Sequence, residues 1–317
     1  MESTAEPPAD AEENMRLAVE RFRTKMEASN RQFLQDRMDE IEAMNLSTEE
    51  EKLLEMRTYW PGLKARNDIR WMATQPPEVV RQLHEEANVD RLSDVKSLYH
   101  RHMDGVEPPN GWTDEWRQMY LNTVQTVCNE VAFRSEEDND FEVPPCYDLA
   151  LFLKYASGVQ DPDFRYAGMA SFDPPGSLVK ETFDISKDRE DLIRHIHRYY
   201  LCEESWFQAY AHQDLEVRAG FQTGNGIKDK QSGHDEWYSM YLYCRRDPED
   251  SDQSHKDWAW RVVISEVGTY RDHIEVYGKN PIFDSIVEFL DWYSSWLEHL
   301  DMDQVRKDVA LNHGDWD

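Results

Sequence analysis

The sequence predicts an α+β protein in which an N-terminal helical region is followed by an antiparallel sheet packed against helices. Three observations predict this class. Apolar residues recur at helical spacing through much of residues 15–212, as in amphipathic helices. From residue 217 the period falls to two, and aromatic and β-branched residues dominate, which indicates strands. A proline-led amphipathic segment at 282–298 then predicts a closing helix.

The N-terminal region is predicted to be a short tail followed by helices. Residues 1–14 are acidic and contain paired prolines, and we expect them to be disordered because they cannot bury enough apolar surface to offset the entropy of ordering. Residues 15–104 form the predicted helical region, and its first helix ends near Asn45. The apolar stripe of this helix predicts either a cap over the rest of the chain or a coiled coil with a partner.

Two further helices are predicted before the first domain boundary. In the second, Ser47 or Thr48 can cap the first amides, and a glutamate three residues later can return the bond. A third helix is expected after Gln75-Pro76-Pro77, because proline is tolerated in a first turn. An irregular loop at 100–111 is the candidate boundary.

The following domain is predicted at residues 110–300, with a C-terminal tail at 301–317. It begins with a helical stripe from Trp112 to Val127, followed by an acidic run at 134–140 that we expect to be a solvated loop. Pro144-Pro145 start a short helix, for which Gly158 is expected to provide a left-handed cap. A helix pair at 188–212 precedes the strands.

The strands are predicted to form an antiparallel meander. The predicted segments are 217–224, 236–244, 258–267 and 273–278. The polar linkers between them, at 224–234 and 245–257, are longer than tight hairpin turns and are expected to be mobile. Thr223-Gly224-Asn225-Gly226 lacks the Gly-Lys-Ser/Thr of a phosphate-binding loop and is interpreted as a turn.

Short motifs in the predicted domain resemble those of a known family. Their carriers are a proline-led helix, a glycine after it, and a terminal aromatic helix: Pro144, Pro145, Tyr147, Phe152, Tyr155, Gly158, Phe283, Asp284, Phe289 and Leu290. This pattern resembles the SUKH superfamily, which includes a fungal regulator of cell-wall assembly and bacterial immunity proteins that neutralise toxins. The resemblance covers roughly residues 110–300 and implies an α+β binding scaffold without enzymatic activity.

The charge of the chain limits its partners. Asp and Glu exceed Lys and Arg by enough to give a net charge of −29. This charge disfavours binding to nucleic acid and to anionic membranes, because proteins bind both through clustered Lys and Arg side chains. Proteins with basic surfaces fit this charge, although the charge can equally serve solubility alone. No run approaches the ~18 apolar residues of a membrane span. The N-terminus has no apolar leader, so we expect the cytoplasm or the nucleus.

The residues that could carry chemistry predict no catalytic, cofactor or metal site. The four cysteines contain no CxxC pair and are interpreted as buried thiols. His195 and His197 point to different sides of a helix, and His100 and His102 have no further ligand nearby. Strand alternation instead predicts that some rings of an aromatic cluster face outward as protein-binding anchors: Trp237, Tyr238, Tyr241, Tyr243, Trp258 and Trp260. The alternative is that helices cover both sheet faces and these rings form core.

The sequence therefore predicts a non-enzymatic protein–protein interaction or regulatory scaffold protein of the SUKH type. Two alternatives stay open. One is an enzyme with a pocket between the helical region and the sheet, lined by His and carboxylates. The other is an acidic immunity-type inhibitor of a basic toxin or nuclease, whose binding would fade as salt rises. The oligomeric state is open.

Overall fold

The protein contains helices and antiparallel sheets, which confirms the predicted α+β class. The computed structural model describes residues 10–59, 91–94, 104–109, 113–131, 142–160, 171–174, 184–199, 216–229, 236–246, 258–267 and 282–296. Several predictions lie outside these residues: the tail at 1–9, the third helix, the acidic loop at 134–140, the strand at 273–278 and the tail at 301–317.

The helices and strands follow each other in an order close to the predicted one. In chain order they are α1 (Ala11–Ala43), α2 (Glu49–Tyr59), a 3-10 helix (Leu92–Asp94), β1 (Val106–Glu107), α3 (Asp114–Val131), α4 (Tyr147–Tyr155), β2 (Gly158–Val159), α5 (Ile185–Tyr199), β3 (Glu216–Asp229), β4 (Glu236–Arg246), β5 (Ala259–Val267), β6 (Ile282–Phe283) and α6 (Ile286–Trp296).

The chain divides into two compact units. The first, which contains the sheets, comprises Met1–Arg21, Val106–Gln160 and Gly168–Tyr293. The second comprises Phe22–Gly105, Asp161–Ala167 and Ser294–Asp317. The start of α1 therefore belongs with the sheets, which differs from the predicted partition into a helical region at 15–104 and a domain at 110–300.

Helix α1 is longer than predicted and buries its apolar stripe. It begins at Ala11, so residues 11–14 of the predicted disordered tail are helical. The buried apolar side chains fall on one face of the helix, and the buried Asn30 occupies the same face between Met26 and Leu34: Met15, Ala18, Val19, Phe22, Met26, Leu34, Met38 and Ile41. Because this face is buried within the chain, the alternative of a free coiled-coil seam is wrong.

Helix α2 starts with the predicted capping box. The Oγ1 atom of Thr48 accepts a hydrogen bond from the amide of Glu51 (3.1 Å), and the Glu51 carboxylate accepts one from the amide of Thr48 (3.0 Å). Thr48 is thus the cap, and the reciprocal bonds satisfy amides that a helix start leaves without partners. In the same unit, Glu49 accepts a bond from the amide of Leu92 (3.0 Å), which ties α2 to the 3-10 helix.

Helix α4 ends differently from the prediction. Ala156 follows the helix in an extended conformation (φ −149°), and its amide donates to the Phe152 carbonyl. Gly158 lies in strand β2, so the predicted left-handed cap is wrong. Among the described residues, the glycine with a positive φ is Gly105 (64°), just before β1.

The larger sheet is an antiparallel meander with the strand order β3-β4-β5-β6, and its first three strands lie where strands were predicted. Its fourth strand is Ile282–Phe283, so the prediction that the closing helix begins at residue 282 is wrong, and that helix begins at Ile286. β3 pairs with β4, β4 with β5, and β5 with the short β6, as in the pairs Tyr243 with Arg261 and Val262 with Phe283. β3 continues to Asp229, so the interpretation of Thr223–Gly226 as a turn is wrong. Register shifts near Gly224 and Asn225 admit the glycine-rich stretch into the strand as bulges.

A short segment, residues 171–174, joins the two sheets of the first unit and is called the seam segment below. The amides of Val159 and Phe172 each donate to the other's carbonyl at 2.8 Å. On the other side, the amide of Asp173 donates to the carbonyl of Thr223 in β3 (2.7 Å). The seam segment therefore continues the hydrogen-bonded ladder from β2 to β3.

An aromatic cluster forms part of the core of the first unit. The Phe172 ring lies 5.2 Å from that of Phe152 in α4 and 5.3 Å from that of Phe289 in α6. Phe289 also contacts Phe283 of β6 at 5.5 Å, so α6 packs on the sheet through this edge strand. Three residues of the family-like motifs, Phe152, Phe283 and Phe289, thus belong to one buried cluster, where their rings fill the core.

Candidate protein-binding surface

Three of the six predicted aromatic anchors are buried. Tyr241, Tyr243 and Trp260 are 5%, 0% and 9% exposed, so the prediction that they bind partners is wrong for this structure. Their neighbours Met240 and Leu242 are buried as well, which means that both faces of β4 are covered here. When both faces of a strand are covered, the side chains on both faces are buried. The alternation of residue types along the strand does not show whether one face or both are covered.

One predicted anchor is partly exposed. Trp258 is half-buried, and the guanidinium carbon of Arg246 lies 4.9 Å from the centroid of its ring, a cation–π geometry. Arg246 ends β4 and Trp258 immediately precedes β5, so the pair lies where the two strands end. We call it the Arg246–Trp258 pair. The side chains of Trp237 and Tyr238 lie outside the described part of the chain.

Trp260 holds the base of this region in place. Its indole Nε1 donates to the carbonyl of Pro144 (2.6 Å), and its ring packs edge-on against Phe221 of β3 (6.4 Å). Pro144 belongs to the family-like motif that precedes α4. The buried tryptophan therefore connects β5 to the start of α4.

Two buried arginines lie beside Trp260. Arg245 of β4 and Arg261 of β5 are 9% and 7% exposed, and both approach Asp284 Oδ1, at 3.4 Å and 2.6 Å. Asp284 is 49% exposed and follows β6 directly. We call these three residues the arginine–aspartate cluster. The sequence analysis did not identify these arginines, although the position of Arg261 within the apolar run of β5 could have indicated a buried ion pair.

The same cluster adjoins the capped start of α6. Ser285 is the N-cap, since its Oγ atom accepts from the amide of Glu288 (3.0 Å). The Glu288 carboxylate accepts from the amide of Asp284 (2.7 Å), one residue before the position used in a capping box. Asp148 of α4 accepts from the amide of Ile286 (3.1 Å). Burial raises the pKa of Asp148, and the hydrogen bond from Ile286 and the charge of Arg261 oppose that rise.

The other family-like motif residues take structural positions. Leu290 is buried in α6, and the carbonyl of Pro145 accepts from the amide of Tyr147 (3.1 Å) at the start of α4. The Tyr155 hydroxyl donates to Glu12 (3.1 Å).

The described thiols are buried, as predicted. Burial raises the pKa of Cys128 to about 12, and it also raises the pKa values of Cys146 and Cys244. A thiol must ionise to act as a nucleophile or ligand, so these side chains are poorly suited to either role. Cys202 lies outside the described residues.

No group of three or more His, Cys, Asp or Glu side chains among the described residues could hold a metal ion. No described helix is both long and apolar enough to cross a bilayer. His195 and His197 lie on α5, but their side chains fall outside the description, as do His100 and His102 entirely.

Comparison with known proteins leaves the family open. No family model, curated protein or solved structure matches this chain. The SUKH assignment therefore stays a prediction from sequence motifs.

Proposed function

We propose that this protein is a non-enzymatic regulatory scaffold that binds other proteins through the Arg246–Trp258 pair. The observation that supports this function is a half-buried tryptophan ring stacked with a guanidinium at a strand end. Tryptophan and arginine are strongly enriched among the residues that dominate binding energy at protein interfaces. A SUKH-type scaffold, as the motifs imply, agrees with this role.

Polar contacts hold the residues next to the pair in place. The neighbouring residues Arg245 and Trp260 are fixed by Asp284 and by the Pro144 carbonyl. A side chain held by its support loses little conformational entropy when a partner docks. The arginine–aspartate cluster and Trp260 thus support the partly exposed pair from the neighbouring positions of β4 and β5.

The charge of the chain points to a partner with a basic surface. Between the two members of the pair, the sequence places five acidic residues: Asp247, Glu249, Asp250, Asp252 and Asp257. Together with the net charge of −29, they would attract a basic partner and speed its association at low salt. The partner would then have a basic rim around a pocket for the indole, in the cytoplasm or the nucleus.

Affinity capture from a native extract tests the proposal. Wild-type protein should recover a reproducible partner at moderate salt, and Trp258→Ala and Arg246→Ala should each reduce its recovery at least tenfold, as expected for hot-spot residues. Leu54→Ala is the matched control, because this side chain is 63% exposed and belongs to the other unit. Equal recovery by Trp258→Ala and wild type, or no reproducible partner, would contradict the proposal.

A further inference from the structure

The two buried arginines of the arginine–aspartate cluster share a single acceptor atom. Nη2 of Arg245 lies 3.4 Å from Oδ1 of Asp284, and Nε of Arg261 lies 2.6 Å from the same oxygen. Within the described residues, the one other polar contact of either guanidinium is a long hydrogen bond from Arg261 Nη1 to the carbonyl of Trp260 (3.4 Å). A guanidinium carries N–H donors on every one of its nitrogens. Most of these donors therefore have no acceptor in the described part of the chain.

Some of the unmet donors are fully buried. The Nε atoms of Arg245 and Arg261 have no hydrogen-bond partner among the described residues, because the short approach of Arg261 to Asp284 is an ion pair without hydrogen-bond geometry. A buried donor without an acceptor costs free energy, and a buried charge costs more unless it is paired. Native proteins usually meet such a need with a protein atom, an ordered water or a bound ion. An additional acceptor would therefore stabilise this cluster.

The register of β4 and β5 brings the two arginines together. Tyr243 pairs with Arg261, and Arg245 lies two residues further along β4, so all three side chains belong to one face of the sheet. Arg246 is the next residue, and alternation assigns its side chain to the opposite face. The arginine–aspartate cluster is therefore distinct from the Arg246–Trp258 pair.

The acids beside the two arginines leave room for a further negative group. Asp284 is 49% exposed, so the cluster meets water at this carboxylate. Asp148, whose charge acts on Arg261, accepts from the amide of Ile286 (3.1 Å), and among the described residues it forms no hydrogen bond or ion pair with either arginine. Two guanidiniums are thus contacted by one partly hydrated carboxylate. A ligand with several charged oxygen atoms can bridge both from the side of Asp284.

We propose that Arg245 and Arg261 bind a phosphoryl group, which enters the cluster beside Asp284. A phosphoryl group has more acceptor oxygens than a carboxylate, and the planar fork of a guanidinium matches it in two-pronged hydrogen bonds. It supplies acceptors to both arginines at once, which the single Oδ1 atom does not. The net charge of −29 repels anions at long range, so the affinity comes from these direct bonds. This site adds a ligand to the protein and does not depend on docking at the Arg246–Trp258 pair.

Calorimetric titration of the full-length protein with inorganic phosphate tests the proposal. Wild type should bind phosphate at a single site, and Arg245→Met and Arg261→Met should each weaken binding at least about tenfold, because each removes charge-assisted hydrogen bonds. Methionine retains an apolar side chain in place of the arginine stem. Arg21→Met is the matched control, since this arginine belongs to the same unit but pairs with the exposed Asp291. No binding by wild type, or an equal loss in Arg21→Met, overturns the proposal.

Removal of the competing carboxylate gives a readout that misfolding does not imitate. Asp284→Asn takes away the negative charge nearest to the proposed ligand, so this variant should bind phosphate at least about tenfold more tightly than wild type. Asp291→Asn makes the same change at an exposed ion pair and should leave the affinity for phosphate unchanged. Equal affinities in the two aspartate variants overturn the site.

Two further ligands define the chemical class. Free phosphoserine distinguishes the source of the group: its binding supports a phosphoryl group carried by a larger molecule, and binding of phosphate without phosphoserine supports the free ion. Acetate at the same ionic strength should bind more weakly than phosphate, because it offers fewer oxygens and less charge. Equal affinity for acetate and phosphate overturns the assignment to a phosphoryl group.

Discussion

The Nε atom of Arg261 lies 2.6 Å from the Oδ1 atom of Asp284, and this pair connects the interior of the sheet to the start of α6. The arginine is 7% exposed and the aspartate 49%, so the base is buried and its acid faces water. A buried arginine costs free energy unless it is paired. The pair thus fixes α6 against β5 more strictly than apolar contacts alone.

Replacement of Asp284 by asparagine should lower the free energy of unfolding by about 2 kcal/mol, because Arg261 and Arg245 lose their shared carboxylate. Breaking a fully buried pair costs about 3–5 kcal/mol, and the half-exposed aspartate reduces that value through solvent screening. Urea denaturation followed by fluorescence measures the change in midpoint.

Asp291→Asn is the control for this variant. Asp291 also pairs with an arginine, Arg21, but both partners are about half exposed, so its loss should cost less than about 1 kcal/mol. If the two variants are destabilised equally, the arginine–aspartate cluster contributes no more to the free energy of unfolding than an exposed ion pair does.

Gly224→Ala should destabilise the protein more than Gly158→Ala. An added Cβ at Gly224 would lie 1.5 Å from the carbonyl oxygen of Ser171, whereas one at Gly158 would lie 2.9 Å from that of Phe172. The first contact requires the seam segment to move, at a cost of about 3 kcal/mol, and the second needs a smaller shift of about 1–2 kcal/mol. Thermal unfolding of both variants checks the order, and a reversed order contradicts the seam geometry.

Local rules predicted much of the fold. The capping box at Thr48 and Glu51, the apolar stripe of α3 and the alternation of β3 to β5 depend on neighbours within a few residues, and the structure confirms them. The roles predicted for Gly158 and Gly224 were wrong because each glycine contacts a segment that is distant in the sequence. Both allow the seam segment to approach closely, which no local pattern encodes.

The candidate site was less predictable for a related reason. A period of two shows that neighbouring side chains face opposite ways, but it does not show which face is covered. Tyr243 and Trp260 are buried and Trp258 is partly exposed, although the residues around all three alternate in a similar way. Asp284 gains its role only when β4, β5 and α6 come together.

Thr48→Ala should lower the free energy of unfolding by about 1 kcal/mol, the usual cost of removing an N-cap side chain. Its Oγ1 atom accepts the hydrogen bond from the Glu51 amide, which loses its partner in the variant. Thr48→Ser keeps the hydroxyl and should restore most of the stability. Chemical denaturation of the three proteins provides the comparison, and a Ser variant as unstable as the Ala variant would argue against a capping role.

Alkaline pH should destabilise the fold through its buried thiols. Burial raises the pKa of Cys128 from 9.0 to about 12, so the native state keeps a proton that the unfolded chain releases. Because the folded value is the higher one, the stabilising contribution is complete below pH 9.0 and is lost as pH rises through the window up to about 12. The urea midpoint should therefore fall between about pH 8 and about pH 10. Cys128→Ala would lose this part of the pH dependence while creating a small cavity, and a midpoint slope identical to that of the wild type would show that another group causes the decline.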